Sequence, residues 1–327
     1  TNENVQEHIN EQKKIISNDE EDVVSHYNLA RSYYFIKKYD LAEKYARRAV
    51  RYDPFNAIYY ELLGSIAFAL ERYGDAITEF AIAIRISPEL ISVYLKLAAT
   101  YEKIGDDGRA ISSLEQAIQI DRFYVDALYQ LAKIYLRQRE LDGSIRTLET
   151  LLKIEPRNKN AMLMRVQTYS LQGSYYYAQT LAEEMLTKFP NFAPIRRELL
   201  RIQFAQQQWS EVQSLLEDLR SKDSISSEDK LIEAYLYLYK KNETRARILF
   251  QEILEKEPKN LDAIMGLAVQ FLRKGFLNDS LKWLTRGLEI NSTLGRAHYL
   301  RSSILFRQGD YLQGDLAISR ALELDPA

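Results

Sequence analysis

From Val23 to its last residue the chain repeats every 34 residues, with no insertion or deletion. Counting slots 1 to 34, units begin at Val23, Ala57, Ile91, Val125, Lys159, Ala193, Ser227, Leu261 and Gly295. Slot 20 reads Ala42, Ala76, Ala110, Ser144, Ala178, Val212, Ala246, Ser280 and Gly314. Slot 8 reads Ala30, Gly64, Ala98, Ala132, Val166, Leu200, Ala234, Ala268 and Ser302. Slot 32 holds Pro54, Pro88, Pro156, Pro190, Pro258 and Pro326, so of the seven prolines only Pro194 falls elsewhere. Length alone would suggest two or three compact domains. A fixed period of this size instead indicates stacked copies of one supersecondary unit, none of which can bury its apolar faces alone.

The clearest unit is Asn56 to Glu89. Ile58, Leu62, Leu63, Ile66, Ala67 and Leu70 recur at helical spacing, and Ala76, Ile77, Phe80, Ala83 and Ile84 repeat the pattern. Gly74 is expected in the turn between the two helices, and Pro88 ends the second because it has no N–H to donate.

These units resemble the tetratricopeptide repeat (TPR). That pattern wants a bulky residue at slot 4, Leu then a small residue at 7 and 8, Tyr at 11, Ala at 20, a large apolar residue at 24, Ala at 27 and Pro at 32. The second unit supplies Tyr60, Leu63, Gly64, Ala76, Phe80, Ala83 and Pro88, and departs at slot 11 with Ala67. The first supplies Leu29, Ala30, Tyr33, Ala42, Ala49 and Pro54. The resemblance implies an all-α, right-handed superhelical solenoid of nine TPR helical hairpins. The expected units are 23–56, 57–90, 91–124, 125–158, 159–192, 193–226, 227–260, 261–294 and 295–327, after an N-terminal capping helix within 1–22.

Val5, Ile9 and Ile16 carry the leading helix, near Asn4 to Ser17; a partner-binding arm is its other reading. Asn18 to Asp22 supplies carboxylates suited to capping the next helix. Units four to seven enlarge slot 27 to Leu151, Met185, Leu219 and Ile253, which spaces helices further apart. A change of pitch is expected around residues 159–226. The sixth unit, with Arg196, Gln203 and Val212 at slots 4, 11 and 20 and a polar stretch from Ser221 to Ser227, is either a weak repeat or a hinge. On the final helix those of Leu316, Ile318, Leu322 and Leu324 that face outward are expected to lack cover, which implies either a further segment of a longer chain or packing on another molecule, self-association included.

No reactive centre is legible, and the chain is expected not to be an enzyme. Cysteine is absent, which removes disulfides and Cys-ligated zinc. Of three histidines, His26 and His298 share slot 4 and read as packing residues, so no metal and no cofactor is expected. Gly105-Asp106-Asp107-Gly108 is an interhelix turn without phosphate-loop spacing. Tyr175 falls at slot 17, a frequent aromatic position; Tyr176 and Tyr177 are left open. The net charge of −2 argues against nucleic acid as a partner, and no apolar run suits direct membrane insertion. Localisation is unassigned between cytoplasm and periplasm, since Thr1 is no initiating Met and a leader could precede it. The many Ile, Lys, Asn and Tyr residues suggest a bacterial source.

The resemblance implies that first helices line a concave groove through slots 2, 5, 6, 9, 12 and 13. Its expected partner-binding residues are Tyr27, Arg31, Tyr34, Lys96, Tyr129, Lys133, Arg137, Arg197, Arg201, Tyr235 and Tyr239. Ten basic and six acidic residues fall on these slots, a balance suited to a partner protein or peptide with apolar and acidic side chains. The family's chaperone clamp needs Lys and Asn at slots 5 and 9, Asn at slot 6 of the next repeat, and Lys and Arg at slots 2 and 6 of the third. Those places hold Tyr27, Arg31, Leu62, Ser92 and Lys96, so that clamp is not expected. The expectation is a non-catalytic protein–protein interaction scaffold. The alternatives are a structural component of a bacterial envelope assembly or export machine, and the targeting module of a larger enzyme. Reversing Arg197 and Arg201 to Glu is expected to weaken partner binding without lowering the Tm.

Overall fold

The computed structural model describes residues 2–222 and 225–325. Among them are nineteen α-helices and no strand. A leading helix, α1 (Asn2–Asn18), precedes eighteen helices that alternate as first and second helices of the 34-residue period, paired as hairpins within each of two compact units. The first helices of the hairpins are α2 (Val23–Phe35), α4 (Ala57–Ala69), α6 (Ile91–Lys103), α8 (Val125–Arg137), α10 (Lys159–Leu171), α12 (Ala193–Ala205), α14 (Ser227–Tyr239), α16 (Leu261–Arg273) and α18 (Gly295–Gln308). Each is followed by its second helix: α3 (Tyr39–Tyr52), α5 (Tyr73–Ile86), α7 (Asp107–Ile120), α9 (Leu141–Ile154), α11 (Tyr175–Lys188), α13 (Trp209–Lys222), α15 (Glu243–Lys256), α17 (Leu277–Ile290) and α19 (Tyr311–Leu324). The two compact units divide between Gly173 and Ser174, in the connection from α10 to α11. Asp223 and Ser224 of the polar stretch, and the terminating proline expected at Pro326, lie outside the described residues.

Helix starts follow local chemistry. Asp22, Asn56, Asn158, Ser226 and Asn260 precede first helices, and each side chain accepts a hydrogen bond from a first-turn N–H. Asp106, Asn242 and Asp310 do the same for second helices. These caps satisfy donors that the first turn leaves without a helical acceptor.

The turn inside each hairpin corrects the expectation for Gly74. That residue is the second of α5 and lies in open space. The chain reverses instead at slot 15, where every hairpin enters the left-handed region. Gly105, Gly173, Gly275 and Gly309 do so at φ 78° to 83°, and Lys37, Glu71, Arg139, Gln207 and Lys241 at φ 58° to 63°. Glycine enters this region without a Cβ clash, whereas the other five carry a local cost.

Packing explains the small residues. Ala42, Ala76, Ala110 and Ala246 are all 0% exposed, so the backbones approach closely there. Gly64 faces the Phe80 ring, and a Cβ at that position would lie 2.5 Å from a ring carbon. Where slot 20 is polar the hydroxyl is satisfied: Ser280 donates to the Ala268 carbonyl at 2.8 Å. Leu151, Met185, Leu219 and Ile253, the enlarged slot-27 residues, are fully buried. On α1, Ile9 is 1% exposed and packs with Leu29, Ala30 and Tyr33.

Slot 4 also has a polar task. His26 Nε2 donates to the Glu20 carbonyl at 2.8 Å, Tyr94 Oη to Pro88 at 3.0 Å and His298 Nε2 to Ser292 at 3.0 Å. Arg196 makes the same reach to the Pro190 carbonyl. Each side chain spans six residues back to a carbonyl in the turn that precedes its own helix. His26 is fully buried, its ring between Tyr45 and Tyr52, as befits a packing residue.

Gly64→Ala should lower stability by about 1–3 kcal/mol through overpacking against Phe80. Glu71→Gly should raise it by up to about 1 kcal/mol, because relief of the left-handed strain exceeds the added freedom of the unfolded chain. Urea or thermal melts read both; opposite signs would reject this account of the hairpin.

Candidate functional site

Within the first unit, the first helices α2, α4 and α6 lie side by side and α1 flanks them. Together they enclose an open trough of about 880 Å³. Tyr27, Arg31, Tyr34 and Lys96 of the expected groove line it, with Phe35, Ile58, Glu61 and Ser65. Asn4, Val5 and His8 of α1 complete the wall. Reading the groove slots alone missed these three. The signal lay in the helical spacing of Val5, Ile9 and Ile16, which turns Ile9 inward and sets the neighbouring residues beside α2.

Tyr27 and Tyr34 are half-buried. Burial pushes both phenols above the usual tyrosine range, while the Arg31 charge pulls Tyr27 the other way. Both rings are held by neighbours: Tyr27 lies 5.2 Å from Tyr59 and Tyr34 lies 5.8 Å from Tyr39, centroid to centroid. The Arg31 guanidinium sits 5.6 Å from the Tyr27 ring centroid. Such contacts fix the trough's shape before any ligand arrives.

The expected cations divide into two groups. Lys96 is paired with Glu61 at 2.8 Å, and Arg137 with Glu102 at 2.8 Å and with Asp107. In the second unit Arg197 meets Asp229 at 3.2 Å, and Arg201 meets Glu198 at 2.9 Å and Glu228 at 2.6 Å. Glu61–Lys96 and Glu102–Arg137 follow one rule: slot 5 or 12 of a repeat pairs with slot 6 or 13 of the next. These charges join adjacent first helices rather than standing ready for an acidic peptide. Lys133 and Arg31 are exposed and have no ion pair among the described residues.

Polar stitches of the same kind run from slot 14 to the preceding second helix. Gln172 donates to Asp142 at 3.1 Å, Gln206 to Gln179 at 2.9 Å and Gln308 to Asn278 at 2.9 Å. Lys274 pairs with Glu243 at 3.0 Å, and Lys240 donates to Gln213.

The expected aromatics of the second unit are packed among neighbours. Tyr239 stacks on Trp209 with centroids 4.7 Å apart, although it stays exposed. Tyr235 lies between Phe204 and Phe250, each 5.8 Å away, and burial raises its pKa. In the first unit, Tyr129 is half-buried against the core that contains Leu128 and Leu148. Tyr175 is half-buried, while Tyr176 and Tyr177 are 80% and 63% exposed. Among the described residues no helix is long and apolar enough to cross a membrane.

The Arg197 and Arg201 pairings revise the expected outcome of reversing both charges. Glu at both positions would face Glu198, Glu228 and Asp229, of which Glu198 and Asp229 are buried. The double variant should therefore lose on the order of 2 kcal/mol, between the exposed and buried limits for broken ion pairs. An unchanged Tm would show that these bonds do not hold α12 to α14.

Comparison with known proteins agrees with this architecture. Sequence profiles described as tetratricopeptide repeat match residues 27–91 and 105–166. The Hsp70-Hsp90 organizing protein of Triticum aestivum is 26% identical over 121 residues, covering 37% of this chain and 21% of that protein. The peroxisomal targeting signal receptor of Komagataella phaffii is 25% identical over 155 residues, covering 47% of this chain and 26% of the receptor. The chain thus spans about a quarter or less of the length of these curated relatives. A tetratricopeptide repeat protein from Parabacteroides merdae superposes with a TM-score of 0.55 at 14% identity, covering 71% of this chain and 92% of the other, a likeness of fold. Residues 27–91 and 105–166 are thus matched as tetratricopeptide repeats, and the helices that follow keep their 34-residue period and all-α architecture.

Proposed function

We propose that this chain is a non-catalytic scaffold of nine contiguous repeats, and that its first helices take up an extended segment of a partner protein. The trough of the first unit carries this reading. It is open, preformed, and lined by aromatic rings, amide and hydroxyl groups and one unpaired cation. Such a surface suits an extended peptide better than a small metabolite, which would need a more enclosed site. The names of two relatives, an organizing protein for Hsp70 and Hsp90 and a receptor for a targeting signal, fit a role in binding other proteins. A chaperone-type clamp is disfavoured, because Tyr27, Leu62 and Ser92 stand where its Lys, Asn and Lys would be.

The test is peptide capture from a display library by the full chain. Phe35→Ala combined with Ile58→Ala removes two exposed apolar walls of the trough. Captured peptides should bind at least about tenfold more weakly, roughly 1.4 kcal/mol, with little change in Tm. Equal binding by the double variant would place the partner surface elsewhere.

A second reading, self-association, is favoured by α19, where Tyr311, Leu312, Leu316 and Leu322 are 58% to 71% exposed. Sedimentation of Leu312→Ser with Leu316→Ser against the parent distinguishes it: a concentration-dependent dimer should become a monomer. A parent that remains monomeric at high concentration rules it out.

A further inference from the structure

We infer that the trough of the first unit selects a peptide carrying a large apolar side chain close to a carboxylate. This rests on the peptide-groove reading above and adds the chemistry of what is recognised.

The apolar requirement comes from a second hollow, of about 200 Å³, that opens off the trough and shares Tyr34, Ser65 and Lys96 with it. Phe68, Phe80 and Ala99 complete its lining. The sequence opens it: slot 9 is small in two successive repeats, Ser65 and Ala99, whereas the same slot holds Arg31, Lys133, Gln167, Arg201, Tyr235 and Val269 in six others and is small again only at Ser303 of the last repeat. Small residues there leave space between α2, α4 and α6, and Tyr34 and Phe68 at slot 12 wall it. The Phe80 ring is fixed against Gly64 and is fully buried. The hollow can receive one side chain of leucine or phenylalanine size and excludes a folded element. An apolar anchor in such a site removes area from water at little entropic cost to the protein, because its walls are already packed.

The carboxylate requirement comes from Arg31. Its guanidinium is exposed at the trough, rests over the Tyr27 ring and has no ion pair among the described residues. Lys96 and Glu61 neutralise one another at 2.8 Å, so the trough keeps one uncompensated positive charge. A planar guanidinium held on an aromatic face presents paired donors that match a carboxylate. Arg31 lies one helical turn from Tyr34 on α2, so a peptide bonded to it can reach the hollow with a nearby residue.

The test uses an array of dodecapeptides that varies one position among Leu, Phe and Ala and a nearby position between Glu and Gln. The full chain should favour Leu or Phe over Ala, and Glu over Gln, each by about tenfold. Ala99→Leu, which fills the hollow, should abolish the first preference and keep the second; Ala99→Val is the smaller filling if the leucine variant melts early. Arg31→Gln should do the reverse. Peptides that bind the parent without these preferences, or preferences that neither substitution alters, overturn this inference and leave the peptide-groove reading standing. No binding of any peptide, with Phe35→Ala and Ile58→Ala indistinguishable from the parent, removes both.

Discussion

Close approach between helix backbones is the constraint on which the structure depends. It is set by side chains that are nearly absent: Ala30, Ala42 and Ala49 in the first hairpin and Gly64, Ala76 and Ala83 in the second, all buried. Two helices separated by a methyl group or less bury the larger residues around them, such as Leu29, Ile66 and Phe80. Enlarging one position forces a matching change elsewhere. Leu151, Met185, Leu219 and Ile253 fill slot 27 and remain fully buried, so in those repeats the contact is made by longer side chains.

Given that spacing, the remaining requirements are polar and local. A hairpin must reverse in three residues, and the left-handed residue at slot 15 does this in every repeat. Glycine fills the position four times; Lys37, Glu71, Arg139, Gln207 and Lys241 adopt the same conformation elsewhere, in turns closed by backbone hydrogen bonds such as Lys38 N–H to the Tyr33 carbonyl and Arg72 N–H to the Ala67 carbonyl, both 2.9 Å. Donors at eight of the described helix starts are met by Asp, Asn or Ser caps, and carbonyls in four of the turns between repeats by slot-4 side chains. His26 and His298 each reach such a carbonyl, and the buried His26 ring also stacks against Tyr45 and Tyr52.

Binding surface is what the stack leaves over, and the structure narrows it. Arg137, Arg197 and Arg201 read as groove cations but are already engaged with acids on neighbouring elements. A charge used to hold adjacent repeats together is less available to a partner, since releasing it would leave its acid unpaired, and for Arg197 and Arg201 that includes the buried Asp229 and Glu198. Arg31 differs because its neighbour is an aromatic ring, and the hollow beside it exists because Ser65 and Ala99 are small. The most distinctive part of the molecule thus lies among repeats that fit the family pattern well.

The helical period, the small residues at fixed slots and the prolines after second helices were enough to identify an all-α stack of hairpins, because a 34-residue recurrence has few other physical solutions. The position of the turn was only partly legible: Gly74 drew attention, but the backbone is left-handed at Glu71, where side-chain identity gives no warning. Slot position also could not tell a free cation from a paired one, because that depends on which acid the next repeat brings within about 3 Å. Lys96 and Arg31 look alike in the sequence, yet one meets Glu61 and the other meets Tyr27. Periodicity is a local property of the chain and can be read along it, whereas the partner of each surface side chain is set by residues about one repeat away and is fixed only when the hairpins stack.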